Sequence, residues 1–177
     1  WIDLGSGTGL LADEIEKEFS NKKVSRIDFS KKMLLQNKSS SKKILWDLNN
    51  ELPSSIKECD LITSNFCIHW LNEPEKIIKN WFGKLRSGGY LIISYPTNKC
   101  FPEWKETCCK INVEYSGLNF FSTEKLLRNF KSDEICYSKN HLHLEEFPDV
   151  YKLFRSMVNV GAQSSKFKRK TVKELKD

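Results

Sequence analysis

Three observations predict an α/β fold with a doubly wound, mostly parallel sheet. An apolar run ends in an acid, Asp3, and passes into glycines at alternate positions, Gly5, Gly7 and Gly9, ahead of a helical pattern. Two later strand-like runs also finish in acids, Asp28 and Asp47. The patterns alternate as β-α-β-α-β-β-α-β with crossovers long enough for parallel pairing.

Taken in order, Trp1 to Gly9 reads as strand, Gly-rich turn and helix start. Glycines there let the backbone bend with unusual dihedrals and let a ligand approach without a Cβ in the way. The helix start offers unpaired N–H groups. A dinucleotide fingerprint needs G-x-G-x-x-G; here the third glycine arrives one position early, giving D-x-G-x-G-x-G. Leu10, Leu11, Ile15 and Phe19 then fall at helical spacing among Asp13, Glu14, Glu16, Lys17 and Glu18, and Asn21 marks the end. Val24 to Asp28 reads as a second strand, with Asp28 lying 19 residues beyond Gly9. A carboxylate at that strand end can accept both ribose hydroxyl hydrogens.

Ser30 is a suitable N-cap for a second helix through Gln36 containing Met33, Leu34 and Leu35. Lys43 to Trp46 is a short third strand followed by Asp47 and Leu48, and Asp60 to Ser64 is a fourth. The fourth leads into Asn65-Phe66-Cys67-Ile68-His69-Trp70. Open α/β sheets bind ligands beyond the carboxyl ends of their strands, so Asn65 is expected at the reacting centre, with His69 and Trp70 lining an acceptor pocket. Pro74 starts a helix with Ile77, Ile78, Trp81, Phe82 and Leu85 buried, and Gly88-Gly89 is expected to stop it. Tyr90 to Tyr95, apolar on both faces, reads as a central parallel strand.

From Phe101 the organisation changes. A short helix runs from Glu103 to Cys109, Ser122 caps Thr123 to Phe130, and Glu134 to Phe147 has strand-like alternation. Pro148 and Asp149 then open a helix whose Val150, Leu153, Phe154, Met157, Val158 and Gly161 share a face. Residues 1–177 are expected to form a single domain, with 1–96 as its ligand-binding core and 97–177 as the acceptor-side and C-terminal part.

Composition narrows the function classes. With 39% hydrophobic and 29% charged residues the chain reads as an ordinary globular protein. It has no apolar run of membrane-spanning length and does not open on a charged-then-apolar stretch, so a cytoplasmic protein is expected, without a membrane partner. It opens inside its first strand without Met, so the native polypeptide is expected to begin earlier. Six cysteines lack C-x-x-C spacing and the three histidines are scattered, so free thiols and no metal site are expected. The net charge of +6 sits mainly in the tail, where Lys166, Lys168, Arg169 and Lys170 form a basic run. No RNA-binding signature accompanies that run, so no nucleic-acid partner is expected. A monomer is expected.

The stretches DLGSGTG, IDFSKKMLLQNK, WDLN, SNFCIHWLNEPEKIIKNW, LRSGGYLIIS, FPEW and FRSMVNVGAQ, in that order, resemble the class I S-adenosylmethionine (SAM) methyltransferases. Among these, the CIHWLNEPEK, FPEW and FRSMVNVGA segments are most similar to the BioC-type malonyl-[acyl-carrier protein] O-methyltransferases of biotin synthesis. The resemblance implies a Rossmann-like sheet of order 3-2-1-4-5 and SAM as methyl donor. It implies a cofactor site made by Asp3 at the methionine end, Gly5, Ser6, Gly7 and Gly9 at the sugar, Asp28 and Phe29 at the ribose, and Asn65 near the methionine moiety. Asp47 would receive the adenine amino group while Met33 and Leu48 cover the ring. It also implies N-terminal helices and a last antiparallel strand that this sequence lacks, so the chain is expected to be clipped at both ends.

The implied reaction is methylation of the free carboxylate of a malonyl thioester on acyl carrier protein. A carboxylate is already ionised at neutral pH, so positioning is the expected catalyst, with His69, Trp70 and Arg155 as the positioning candidates. Acyl carrier proteins are acidic, which gives the basic run a use as a docking patch. Two other readings stay open. One is a methyltransferase of a small acid, a quinone or an amine, with His69 as base for an amine. The other is a degenerate module that binds a partner through its tail.

Overall fold

The computed structural model describes residues 1–159, which form two compact units. The first comprises Trp1–Cys100 with Phe120–Asn129, and the second comprises Phe101–Asn119 with residues 130–159.

The first unit is built on five parallel strands, β1 (Ile2–Leu4), β2 (Ser25–Asp28), β3 (Lys43–Leu45), β4 (Cys59–Asn65) and β5 (Leu85–Ser94), in the order β3-β2-β1-β4-β5. This is the expected sheet. Its register sets Leu4 beside Ile27, Ile27 beside Ile44, and Ile2 between Ser25 and Ile62. All three residues of β1 are buried, as a central parallel strand covered on both faces requires. Leu4, Ile27 and Ile62 are fully inaccessible, each worth about 1.5–3 kcal/mol of burial.

Three helices connect these strands. They are α1 (Leu10–Glu18), α2 (Lys31–Gln36) and α3 (Pro74–Phe82). Ser30 caps α2 as its sequence suggests, its hydroxyl accepting the Met33 N–H. Helix α3 has Pro74 in its first turn and buries Ile77, Ile78 and Trp81. A shorter helix, α5 (Thr123–Leu127), is capped by Ser122 and ends before Phe130.

Several local expectations are corrected. Leu10 does not join the buried face of α1 but is 75% exposed beside the glycine turn. Phe19 is also exposed and packs edge-on against Trp1. Helix α3 stops at Gly83, whose N–H bonds to Lys79 O, and Leu85 already belongs to β5. Gly88 and Gly89 lie inside that strand, where Leu85 to Tyr90 runs opposite only Cys59 to Leu61. A bulge results, and it needs the glycines: Gly88 has φ +77°, and a Cβ on Gly89 would come within 2.8 Å of Cys59 O. Among the described residues β5 is an edge strand, with Tyr90 and Ile92 exposed, rather than a central one. Residues 135–147 are irregular, with Leu142 and Leu144 exposed. Alternation makes a strand only where an edge is available to bond with it, and this segment pairs with none of the described strands.

The second unit contains α4 (Pro102–Lys110) and α6 (Val150–Asn159). Trp104 is its centre, with the rings of Phe101, Tyr115 and Phe154 between 4.9 and 6.1 Å away. Asp149 caps α6 by accepting the Lys152 N–H at 2.8 Å. Leu153, Phe154 and Met157 are half-buried, while Val150 and Val158 are exposed. Gly161 and the basic run Lys166, Lys168, Arg169 and Lys170 lie outside the described residues. All six cysteines are free thiols. Among the described residues no helix is long and apolar enough to cross a membrane.

Candidate active site

The glycine turn is tied to β2 through its backbone. The N–H groups of Gly5 and Ser6 both donate to Ile27 O, at 2.8 and 3.0 Å. Gly5, Gly7 and Gly9 all have positive φ, which glycine adopts without steric cost. Their surroundings differ. A Cβ on Gly5 would overlap Cys67 Sγ, and one on Gly9 would overlap Asn37 Oδ1. At Gly7 nothing lies within 4 Å of that position. Two glycines are therefore packed against the protein, and Gly7 is open.

Asp28 holds the open glycine. Its Oδ2 accepts the Gly7 N–H and its Oδ1 the Ser30 N–H, both at 2.8 Å, and the side chain is 6% exposed. Each carboxylate oxygen has a further lone pair, so the group can still accept hydroxyl hydrogens. Asp3 is buried in the middle of the three-residue β1, accepting from Thr63 Oγ1 at 2.9 Å. Burial pushes its pKa up to about 6, against the pull of the Thr63 hydrogen bond and the Arg26 charge, with Asp28 adding to the rise. Ser6 Oγ is buried in the same turn with no partner among the described residues. The Ser6 hydroxyl, the open approach to Gly7 and the carboxylates of Asp28 and Asp3 fit a polar ligand with hydroxyl and cationic groups.

The remaining expected residues follow along the carboxyl ends of the strands. Phe29 is exposed after β2, and Met33 is half-buried in α2. After β3, Leu48 is buried while Asp47 is exposed, its Oδ1 accepting from Asn49 N and Nδ2 at 2.9 Å. Asn65 ends β4 and its Oδ1 accepts the Ser94 hydroxyl. Ile68–Trp70 form one 3-10 turn anchored by the buried Ile68. His69 is tilted against Trp70 at 4.9 Å and edge-on to Phe120 at 5.5 Å, with Nδ1 buried and unpartnered. Burial lowers its pKa to about 4, so the imidazole is neutral at pH 7 and a poor base. Arg155 lies exposed on α6, in the second unit.

A family model described as "Methyltransferase domain" matches residues 2–93, just over half of the chain and nearly all of the five-stranded sheet. The chain belongs to this methyltransferase-domain family. It is 25% identical over 181 residues to a malonyl-[acyl-carrier protein] O-methyltransferase of Bacillus cereus, covering 93% of this chain and 65% of that protein. It is 25% identical over 175 residues to malonyl-[acyl-carrier protein] O-methyltransferase 1 of Ilyobacter polytropus, with 93% and 63% covered. The chain thus spans a little under two thirds of the length of these curated relatives. Among solved structures, the plantazolicin methyltransferase BpumL in complex with SAH superimposes with a TM-score of 0.52 at 20% identity, over 60% of this chain and 42% of the other. That likeness establishes the fold.

Beneath the glycine turn, the methyltransferase domain contains a polar cluster that its sequence pattern did not reveal. Arg26 on β2 is 0% exposed. It donates to Val24 O at 3.0 Å and to the carboxylates of Asp13 at 2.5 Å and Glu16 at 3.2 and 3.3 Å. Glu16 also accepts from Val24 N, Ser39 Oγ and Ser41 Oγ. Burial would raise the Glu16 pKa, but the hydrogen bonds from Arg26, Ser41, Val24 and Ser39 bring it down to about 2. One signal was available: a charged residue in the middle of a buried strand must be paired, and Asp13 and Glu16 face it from α1. Asn37 and Cys67, which pack against Gly9 and Gly5, carried no such signal.

Proposed function

We propose that this chain is the methyl-transferring domain of a SAM-dependent enzyme whose acceptor is the free carboxylate of a malonyl thioester on acyl carrier protein. The observation that carries the cofactor half of this reading is the open Gly7 flanked by Asp3, Asp28 and the unmet Ser6 hydroxyl. The acceptor half is supported by the relatives' names, which come from proteins longer than this chain. The resemblance assigns such enzymes to biotin precursor synthesis.

SAM would supply a methyl group already made electrophilic by its sulfonium. The protein's part is to bind and orient. Asp28 has the lone pairs for two ribose hydroxyls, with Phe29 beside it. Asp3 would meet the methionine ammonium, Gly5, Ser6, Gly7 and Gly9 would line the sugar side, and Asn65 would lie near the methionine moiety. Asp47 would take the adenine amino group between Met33 and Leu48. A carboxylate acceptor is ionised at neutral pH and needs no base, which agrees with a neutral His69. His69 and Trp70 would then shape the acceptor's wall and Arg155 would hold its carboxylate or thioester. An acidic carrier would be drawn to the Lys166, Lys168, Arg169 and Lys170 run, an attraction that falls with added salt.

The test is intact-mass detection of methyl transfer from SAM to malonyl-loaded carrier protein by the full-length protein, with acetyl-loaded carrier as control. A gain of one methyl on the malonyl form alone is expected. Equal labelling of both forms, or of neither, contradicts the carboxylate acceptor.

A further inference from the structure

Two polar side chains, one on each side of α2, reach back to the same residue of the glycine turn. Ahead of the helix, Asp28 Oδ2 accepts the Gly7 N–H at 2.8 Å. Behind it, Asn37 Nδ2 donates to Gly7 O at 2.9 Å and to Met33 O at 3.2 Å. Both backbone groups of Gly7 are thereby held, by residues 21 and 30 positions further along the chain. The circuit closes through the helix: Asp28 Oδ1 accepts Ser30 N, Ser30 Oγ accepts Met33 N, and Met33 O accepts Asn37.

Asn37 is 3% exposed, and its amide can sit only one way round. Both groups facing Nδ2 are carbonyl oxygens, which only the nitrogen satisfies. Its oxygen fills the space that a side chain on Gly9 would need. The peptide between Gly7 and Thr8 is trans, so its C=O and N–H point in opposite directions. Anchoring Gly7 O on Asn37 turns the Thr8 N–H away from Asn37. That N–H has no partner among the described residues.

We propose that Asn37 is a positioning residue for the cofactor: its amide fixes the Gly7–Thr8 peptide so that the Thr8 N–H is presented to the ligand over Gly7. The proposal rests on the reading of the glycine turn as the SAM site. Its effect is preorganisation, since a turn already held in its binding geometry loses less freedom when the ligand arrives.

Calorimetric titration with S-adenosylhomocysteine tests it on full-length wild type, N37A and N37D, with melting temperatures recorded alongside. N37D keeps the volume but sets a carboxylate against two carbonyl oxygens. Both variants are expected to bind about tenfold more weakly or worse, with the KM for SAM raised and kcat at saturating SAM unchanged. Ile78→Val, a core change in α3, serves as the stability control and keeps the wild-type affinity. In wild type, the Thr8 amide is expected to exchange quickly in the free protein and to become protected by S-adenosylhomocysteine; this reading needs no variant to fold. Unaltered affinity in both variants, or a Thr8 amide already protected without ligand, overturns the role of Asn37. Absence of binding to wild type instead overturns the assignment of the cofactor.

Discussion

Gly5, Gly7 and Gly9 share a positive φ for different reasons, and substitution separates them. At Gly5 an added methyl meets Cys67, so Gly5→Ala combines left-handed strain with overpacking and is expected to cost about 2–4 kcal/mol in urea denaturation. At Gly7 the added methyl meets nothing. Gly7→Ala should cost only about 1–2 kcal/mol but weaken S-adenosylhomocysteine binding at least tenfold; wild-type affinity would show that the open space is not the ligand's. Asp3 makes a second residue-scale prediction. Its folded pKa of about 6 stands above the ordinary 3.8, so its contribution to stability is complete below pH 3.8 and is lost as pH rises through 6. A bound ammonium favours the carboxylate, so ligand affinity should fall as pH drops below about 6. D3N should raise the melting temperature at pH 7 while weakening binding, and a flat affinity profile from pH 5 to 8 would count against the pairing. These acids were legible in the sequence because an apolar run closed by an acid marks a strand end. Asn37 was not, because what gives it meaning is a carbonyl 30 residues away.

At the scale of elements, α1 and β2 are joined by charge as well as by apolar packing. Glu16 sits well below the ordinary carboxylate range, at about 2 against 4.5, so the stability it contributes is present above pH 4.5 and lost as pH falls through 2. E16Q leaves the buried Arg26 with a poorer partner and should cost about 3 kcal/mol at pH 7. That deficit should narrow between pH 4.5 and 2, and a pH-independent difference would mean that Glu16 acts by packing alone. Element boundaries were harder to read than element types. Gly83 and the Gly88-Gly89 pair are both glycine signals, and only the distance from Gly89 to the Cys59 carbonyl tells that the pair serves a bulge. The alternation of His141, Leu142, His143 and Leu144 is likewise a real pattern, but a strand also needs a neighbouring edge, which no local pattern supplies.

At the scale of the molecule, the order β3-β2-β1-β4-β5 brings the ends of β1 to β4, and with them Asp3, Asp28, Asp47 and Asn65, to one edge of one sheet. Parallel strands make this inevitable, since every strand delivers its carboxyl end to the same side. The parallel sheet was therefore readable from alternation, whereas its order of strands came from the family resemblance. The acceptor was not, because Arg155 belongs to the other unit and the relatives extend beyond this chain. The methyltransferase fold leads to a nucleoside bearing an amino acid, rather than a dinucleotide, at this edge. Titrating the protein with S-adenosylhomocysteine and, separately, with NAD decides between the two. Saturable binding of S-adenosylhomocysteine, lost in Gly7→Ala, with no binding of NAD, is the predicted result. Binding of NAD in preference, or of neither, would contradict it.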